Sequence, residues 1–368
     1  MLRIRSFAIL CVVTLLVIVA AIAVHEDSGA MPGAGEHLFP DLLAAVNEVE
    51  KIRVTSAGKS FTLERSSGRW LAADRSGYPA NADKVHSLIV GAAGLKRIEP
   101  KTEKPELYAR LGLEEGEGSG ASSPAVAYVL EGTGGRKLAA WITGRAAPSK
   151  GDPEASEIYV RLPEDPQSWL VEGKLPRDRA LVEWLDQTIV DIDRKRVREV
   201  RVLHRDGEEV VVYKKTFGET DFLLADMPAD TDVNGQWRIN DIGRAFTRLE
   251  LADVQPRDAV SESDAPSLRV IMHTFDGLKV NLKLYQNVYH TSPAGKSLCV
   301  LSASYEDALR DETEAKLSAA EVREEASALN EKWQRWAYTL PDFKTGHLAQ
   351  KRETLLKDKA AEGEGSSG

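Results

Sequence analysis

The stretch "VEKIRVTSAGKSFTLERSSGRWLA" at residues 49–72 returns in altered form as "VREVRVLHRDGEEVVVYKKTFGETDFLLA" at residues 197–225. Apolar residues alternate with polar ones on both sides of a short Gly-containing turn, which predicts two antiparallel strands in each copy. The apolar positions repeat at an offset of 148 residues, whereas the polar residues of the turns differ. A doubled catalytic site would repeat its polar residues, so the pattern favours a doubled scaffold.

The repeat extends beyond these hairpins. A predicted helix follows each one, with apolar positions from Val85 to Ala92 in the first copy and over residues 239–251 in the second. Further strand patterns follow both helices. The sequence therefore predicts an α+β fold: an N-terminal transmembrane helix, two tandem β-β-α-β-β-β repeats and C-terminal helices.

Helical patterns are also present outside the repeated unit. One is predicted over residues 175–193, and another over residues 311–336, before Pro341 interrupts the pattern. A final short helix would carry Leu348, Leu355 and Leu356. The predicted boundaries are a cytoplasmic N-terminus at 1–6, an anchor at 7–24, a linker at 25–41, a first repeat at 42–193, a second repeat at 194–305, C-terminal helices at 306–358 and a disordered tail at 359–368.

The anchor is predicted from the uncharged run "FAILCVVTLLVIVAAIAV" at residues 7–24. Its length is close to the minimum for crossing a bilayer core of roughly 30 Å. Arg3 and Arg5 precede the run, which predicts a cytoplasmic N-terminus and a bacterial inner-membrane, single-pass protein with its bulk in the periplasm. The alternative is a cleaved signal peptide, since Ala21-Ile22-Ala23 offers a cleavage site; the retained anchor is favoured because the run exceeds the usual signal core.

Composition excludes several functional classes. The chain has 368 residues and a formal net charge of -9, which argues against nucleic-acid binding because no broad basic surface is available. It has two cysteines, Cys11 and Cys299, so no disulfide framework is expected, and Cys299 is interpreted as a buried apolar residue. No zinc, serine-nucleophile or nucleotide-binding motif is present, and the chain is predicted not to be an enzyme, with no catalytic, cofactor-binding or metal-binding residues.

One motif suggests a metal. In "DTDVNGQWRIND", Asp230, Asp232, Asn234 and Asp241 occupy positions 1, 3, 5 and 12 of an EF-hand-like calcium loop. Position 12 lacks the longer Glu, and the preceding segment has a strand pattern rather than a helical one. The favoured interpretation is a turn that caps the following helix, not a calcium site.

Aromatic residues offer a second possibility, a carbohydrate-binding platform. Most of the seven tryptophans lie among aliphatic residues, where core packing is the ordinary role. The best exception is the group Trp333, Trp336, Tyr338 and Phe343, for which a packing role is also favoured.

Four segments resemble a known family: "WLAADRSGYPANADKVHSLIVGAAGL", "YARLGLEE", "LPRDRALVEWLDQTIVDIDRKRVREVRV" and "LNEKWQRWAYTLPDFKTGHL". The chain is similar over most of residues 42–357 to an uncharacterised bacterial domain of unknown function. That family occurs in membrane-anchored proteins and in auxiliary components of gliding-motility-type ABC transporters. The resemblance transfers no catalytic residues, and it implies permease and ATPase subunits as candidate partners.

These observations predict a membrane-anchored periplasmic scaffold or interaction module that is not an enzyme, with an ABC-type transport system as one candidate setting. The alternative is a periplasmic binding module for a cell-envelope glycan or lipid.

Overall fold

The structure, a computed structural model, describes residues 33–115, 125–147, 156–228, 231–261, 265–285 and 297–357. These residues divide into two compact units. The first contains residues 33–71 and 82–181, and the second contains residues 72–81 and 182–357.

The first unit is built on one sheet whose strands run in the order β3-β2-β1-β6-β7-β8-β9-β5. Ile52 and Val54 of β1 are buried while the alternate residues are more accessible, as the period of two in the sequence predicts. The strands are β1 (Lys51–Ser56), β2 (Lys59–Ser66), β3 (Arg69–Ala72), β5 (Lys96–Pro100), β6 (Val126–Glu131), β7 (Lys137–Ala146), β8 (Glu157–Arg161) and β9 (Ser168–Glu172).

The second unit repeats this strand order as β13-β12-β11-β16-β17-β18-β19-β15. A separate pair, β10 and β14, forms a two-stranded sheet. The remaining strands are β4 (Tyr78–Pro79), β10 (Thr188–Val190), β11 (Val197–His204), β12 (Glu209–Tyr213), β13 (Leu223–Leu224), β14 (Leu249–Glu250), β15 (Asp253–Pro256), β16 (Leu268–Thr274), β17 (Leu278–Tyr285), β18 (Leu298–Tyr305) and β19 (Trp336–Thr339).

Helices are few and short in the described residues. The longest, over residues 319–333, is capped at its N-terminus by Ser318, whose hydroxyl and the Glu321 carboxylate form a capping box. The helices are α1 (Leu42–Ala45), α2 (Ala82–Ala93), α3 (Tyr108–Leu111), α4 (Gln236–Gly243), α5 (Ala319–Trp333), α6 (Asp342–Leu348) and α7 (Arg352–Leu355).

The predicted α+β fold with β-β-α-β-β-β repeats is therefore wrong. The described chain consists mainly of antiparallel β-sheets, and each unit has more strands than the predicted repeat. The predicted helix over 175–193 is instead a 3-10 turn at Leu181–Trp184 followed by β10. Three consecutive β-branched residues, Thr188, Ile189 and Val190, explain this result, because their side chains favour extended backbone.

The second repeat's helix is shorter than predicted. It ends at Gly243, and Arg248 then adopts a left-handed φ of 43°, which a continuing helix could not contain. The helix predicted over 311–336 is likewise shorter in the structure and is confined to α5. Its N-cap, Ser318, has an extended backbone conformation, so the helix starts only after this residue.

The predicted N-terminal anchor and inner-membrane location are also corrected. In the part of the chain that the structure describes, no helix is both long and apolar enough to span a bilayer. Residues 7–24 themselves lie outside that part. The anchor and the location that it implied are withdrawn.

Candidate functional site: the surface formed by α4 and α6

Helix α4 is held in one orientation by contacts on its inner side. Ile239 and Ile242 are buried, and the amide side chains of Gln236 and Asn240 bond to the backbone of Phe222. These contacts point the opposite side of α4 outward. Residues 237, 241 and 244 share this outer side because they are spaced by four and three residues.

Helix α6 has a similar division. Leu348 is buried, whereas Phe343 and His347, one turn apart, lie on its outer side. The two rings meet edge to face with centroids 6.0 Å apart. Pro341 immediately precedes the helix and supplies a φ that suits a helix start.

A carboxylate connects the two helices. The Asp241 Oδ2 atom of α4 lies 3.7 Å from His347 Nδ1 of α6, and Asp241 Oδ1 accepts a hydrogen bond of 2.7 Å from Arg244. The outer sides of both helices therefore form one continuous surface. We call it the α4–α6 surface, and its residues are Trp237, Arg238, Asp241, Arg244, Phe343, Lys344 and His347.

Two aromatic side chains stand out on this surface. Trp237 is 54% exposed and Phe343 is 61% exposed, and they are the exposed aromatic residues of the described chain. The guanidinium carbon of Arg238 lies 4.6 Å from the centre of the Trp237 ring. This cation–π contact restricts the indole while leaving it accessible.

The surface carries more positive than negative charge. Arg238, Arg244 and Lys344 outnumber the carboxylates of Asp241 and the nearby Glu250, in a chain whose formal net charge is -9. Burial lowers the pKa of Lys344, and Asp241 acts in the opposite direction. The α4–α6 surface is thus locally basic, with accessible aromatic side chains beside the charges.

A groove of about 490 Å³ lies on a different side of α6. Strands β11, β16 and β17 supply one wall, and α6 supplies the other. The lining residues are His204, Ser267, Leu268, Leu284, Asp342, Thr345, Gly346 and Ala349. This volume is in the range of small-molecule sites.

The second unit also contains an ion cluster away from this surface. Arg196 donates from Nε to Asp276 at 2.8 Å and from Nη2 to Glu325 at 2.6 Å. Burial lowers the pKa of Arg196, but the hydrogen bonds to Glu325 and Asp276 outweigh it and raise that pKa. The cluster joins the segment before β11 to the β16–β17 turn and α5, so its role is structural.

Two other groups have shifted pKa values. A hydrogen bond with His273 is the main cause that lowers the pKa of Glu199 to about 2, and Arg201 contributes further. Burial lowers the pKa of Lys214 to about 8, with Arg194 adding to the effect. Lys214 is 1% exposed and its ammonium donates to the Arg194 carbonyl, which gives it a packing role rather than access to a substrate.

Three of the four residues of the EF-hand-like pattern form other contacts. Asp232 pairs with Lys357 at 3.3 Å, the side chain of Asn234 donates to the Thr354 carbonyl, and Asp241 binds Arg244. Asp230 lies outside the described residues. Among the residues described, no group of three or more His, Cys, Asp or Glu side chains is placed to hold a metal ion.

The other residues that the sequence singles out differ in their burial. Cys299 is buried, as predicted, and burial raises the pKa of its thiol. Trp333, Trp336 and Tyr338 are buried and confirm the packing interpretation, whereas Phe343 is exposed and contradicts it. Sequence reasoning also missed Trp237, although its spacing of four from Asp241 resembles that of Phe343 and His347.

Comparisons with known proteins identify one family. The model of a family described as "Domain of unknown function (DUF4340)" matches residues 70–269, which is more than half of the chain. No curated protein and no solved structure matches the chain.

Proposed function

Because the chain belongs to the DUF4340 family, whose function is unknown, we propose from its own surface that it is a non-enzymatic interaction module. Its α4–α6 surface binds a protein partner. The observation that carries this proposal is the exposure of Trp237 and Phe343 beside basic side chains. Trp, Tyr and Arg supply much of the binding energy at protein interfaces, whereas exposed aromatics are costly to leave in water.

The chemistry of the surface defines the partner. Arg238, Arg244 and Lys344 favour a partner segment that carries Asp or Glu, and the two aromatic side chains favour apolar residues next to those acids. Such a segment would bury the rings and complement the positive charge together. An accessory role beside an ABC-type permease and ATPase is one version of this proposal.

The test is affinity capture with the full chain as bait. A Trp237→Ser/Phe343→Ser variant is compared with wild type and with Leu43→Ser, which alters an equally exposed apolar residue of the first unit. We expect proteins recovered by wild type and by the control to be lost with the double variant. Equal recovery by all three baits would refute the assignment of the surface.

A further inference from the structure

The groove beside α6 carries a separate inference that does not depend on the proposed protein partner. Strand register builds its floor, because His204 pairs with Leu268 and Leu268 pairs with Leu284. Directly paired residues point to the same side of a sheet. The imidazole therefore lies in line with two buried leucines, at the end of β11.

Both hydroxyl groups of the lining donate their protons to backbone carbonyl groups. Ser267 Oγ donates to the Leu284 carbonyl at 2.9 Å, and Thr345 Oγ1 donates to the Asp342 carbonyl at 2.9 Å. A hydroxyl that donates its only proton offers lone pairs to anything else. Both groups therefore act as acceptors toward the groove.

The carboxylate of Asp342 adds further acceptors. It is the acidic side chain in the lining, and it forms no salt bridge with another described residue. Within the described structure, the buried Nε2 atom of His204 also has no hydrogen-bond partner. An imidazole nitrogen can donate or accept according to its tautomer, so it can adapt to a ligand.

We propose that this groove binds a small aliphatic ammonium ion. An ammonium group has three donors and no acceptor, which complements a lining of two hydroxyl oxygens and one carboxylate. Its positive charge complements Asp342. The attached carbon chain would lie against the apolar part of the lining, to which Leu268 and Leu284 contribute.

The experiment measures binding of n-butylammonium to the full chain by saturation-transfer NMR, with n-butanol and butyrate as neutral and anionic probes of similar shape. We expect saturable binding of n-butylammonium, binding of n-butanol weaker by about tenfold or more, and the weakest binding for butyrate. Asp342→Asn should weaken n-butylammonium binding by about tenfold, whereas Glu353→Gln, at an exposed acid of α7, should not change it.

A second variant tests the location without removing charge. A Cβ at Gly346 would meet no atom within 4 Å, so Gly346→Leu can place a side chain at the groove without a clash at the backbone. It should abolish binding while the thermal unfolding midpoint stays close to that of wild type. A probe concentration of about 20 mM is high enough to detect a weak dissociation constant in the millimolar range. The absence of n-butylammonium binding at this concentration would overturn the proposal. Equal binding of n-butanol, or unchanged binding by Asp342→Asn or Gly346→Leu, would overturn it as well.

Discussion

Replacement of Arg196 by Met should strongly destabilise the second unit. Arg196 bonds to both oxygens of Asp276 and both oxygens of Glu325, at 2.6–3.2 Å. Met keeps an unbranched apolar stem, but it is shorter than Arg and has no charge. The variant therefore leaves two carboxylates side by side, and Asp276 is only 1% exposed.

The size of the effect follows from this burial. Removing one partner of a buried ion pair costs about 3–5 kcal/mol, because the remaining charge stays desolvated. Asp276 keeps a hydrogen bond of 2.5 Å from the Thr274 hydroxyl, and the side chain of Glu325 is 25% exposed and can reach water. We therefore expect the free energy of unfolding to fall by about 3 kcal/mol, near the lower end of this range.

Native-state hydrogen exchange is the suitable assay, because the two units need not unfold in one transition. Amides of α5 and of β16–β17 should exchange with an opening free energy lowered by about 3 kcal/mol. The control is Arg201→Met, whose side chain is 42% exposed and whose loss should cost below about 1 kcal/mol. Equal losses of stability in Arg196→Met and Arg201→Met would refute the reasoning. Adding Asp276→Asn to the Arg196→Met variant should restore part of the lost stability, because it removes the unpaired buried charge.

Three further predictions concern pH and packing. The pKa of Glu199 is lowered from 4.5 to about 2, so its contribution to folding stability is fully present above pH 4.5 and is lost as the pH falls toward 2. The Glu199→Gln variant should therefore show a flatter dependence of stability on pH in this range of an acid-unfolding curve. The pKa of Lys214 is lowered from 10.5 to about 8, so stability should rise between these pH values, and urea unfolding of Lys214→Met should lack that rise. A Cβ at Gly243 would lie 2.4 Å from the Phe222 ring, so Gly243→Ala should lower the unfolding free energy by about 1–3 kcal/mol. The matched control is Gly346→Ala, whose Cβ would meet no atom within 4 Å and which should be neutral or stabilising by up to about 1 kcal/mol.

The sequence predicts the strands that carry a strict apolar alternation. The segments at 49–72 and 197–225 form β1, β2, β11 and β12, because their buried faces are specified locally. The helix predicted over 175–193 fails since a few apolar residues at helical spacing cannot outweigh the β-branched run at 188–190. The edge strands β5 and β15, and β19 next to β15, depend on long-range pairing, which no local pattern reveals.

The candidate site was only partly predictable. The spacing within each helix is visible in the sequence, since Trp237 precedes Asp241 by four residues and Phe343 precedes His347 by four. That Asp241 meets His347 depends on the packing of α4 against α6, more than 100 residues apart in the chain. The exposure of Phe343 likewise depends on which side of α6 is buried.

The most direct test of the interaction role is site-specific photo-crosslinking in cells that produce the protein. Phe343 is replaced by p-benzoylphenylalanine, and Leu43 is replaced in the same way as the control. We predict a discrete crosslinked protein from position 343, which mass spectrometry identifies, which is not formed from position 43 and which is lost when Trp237→Ser is added. Absence of an adduct at position 343, or the same adducts from both positions, would contradict a specific partner at the α4–α6 surface.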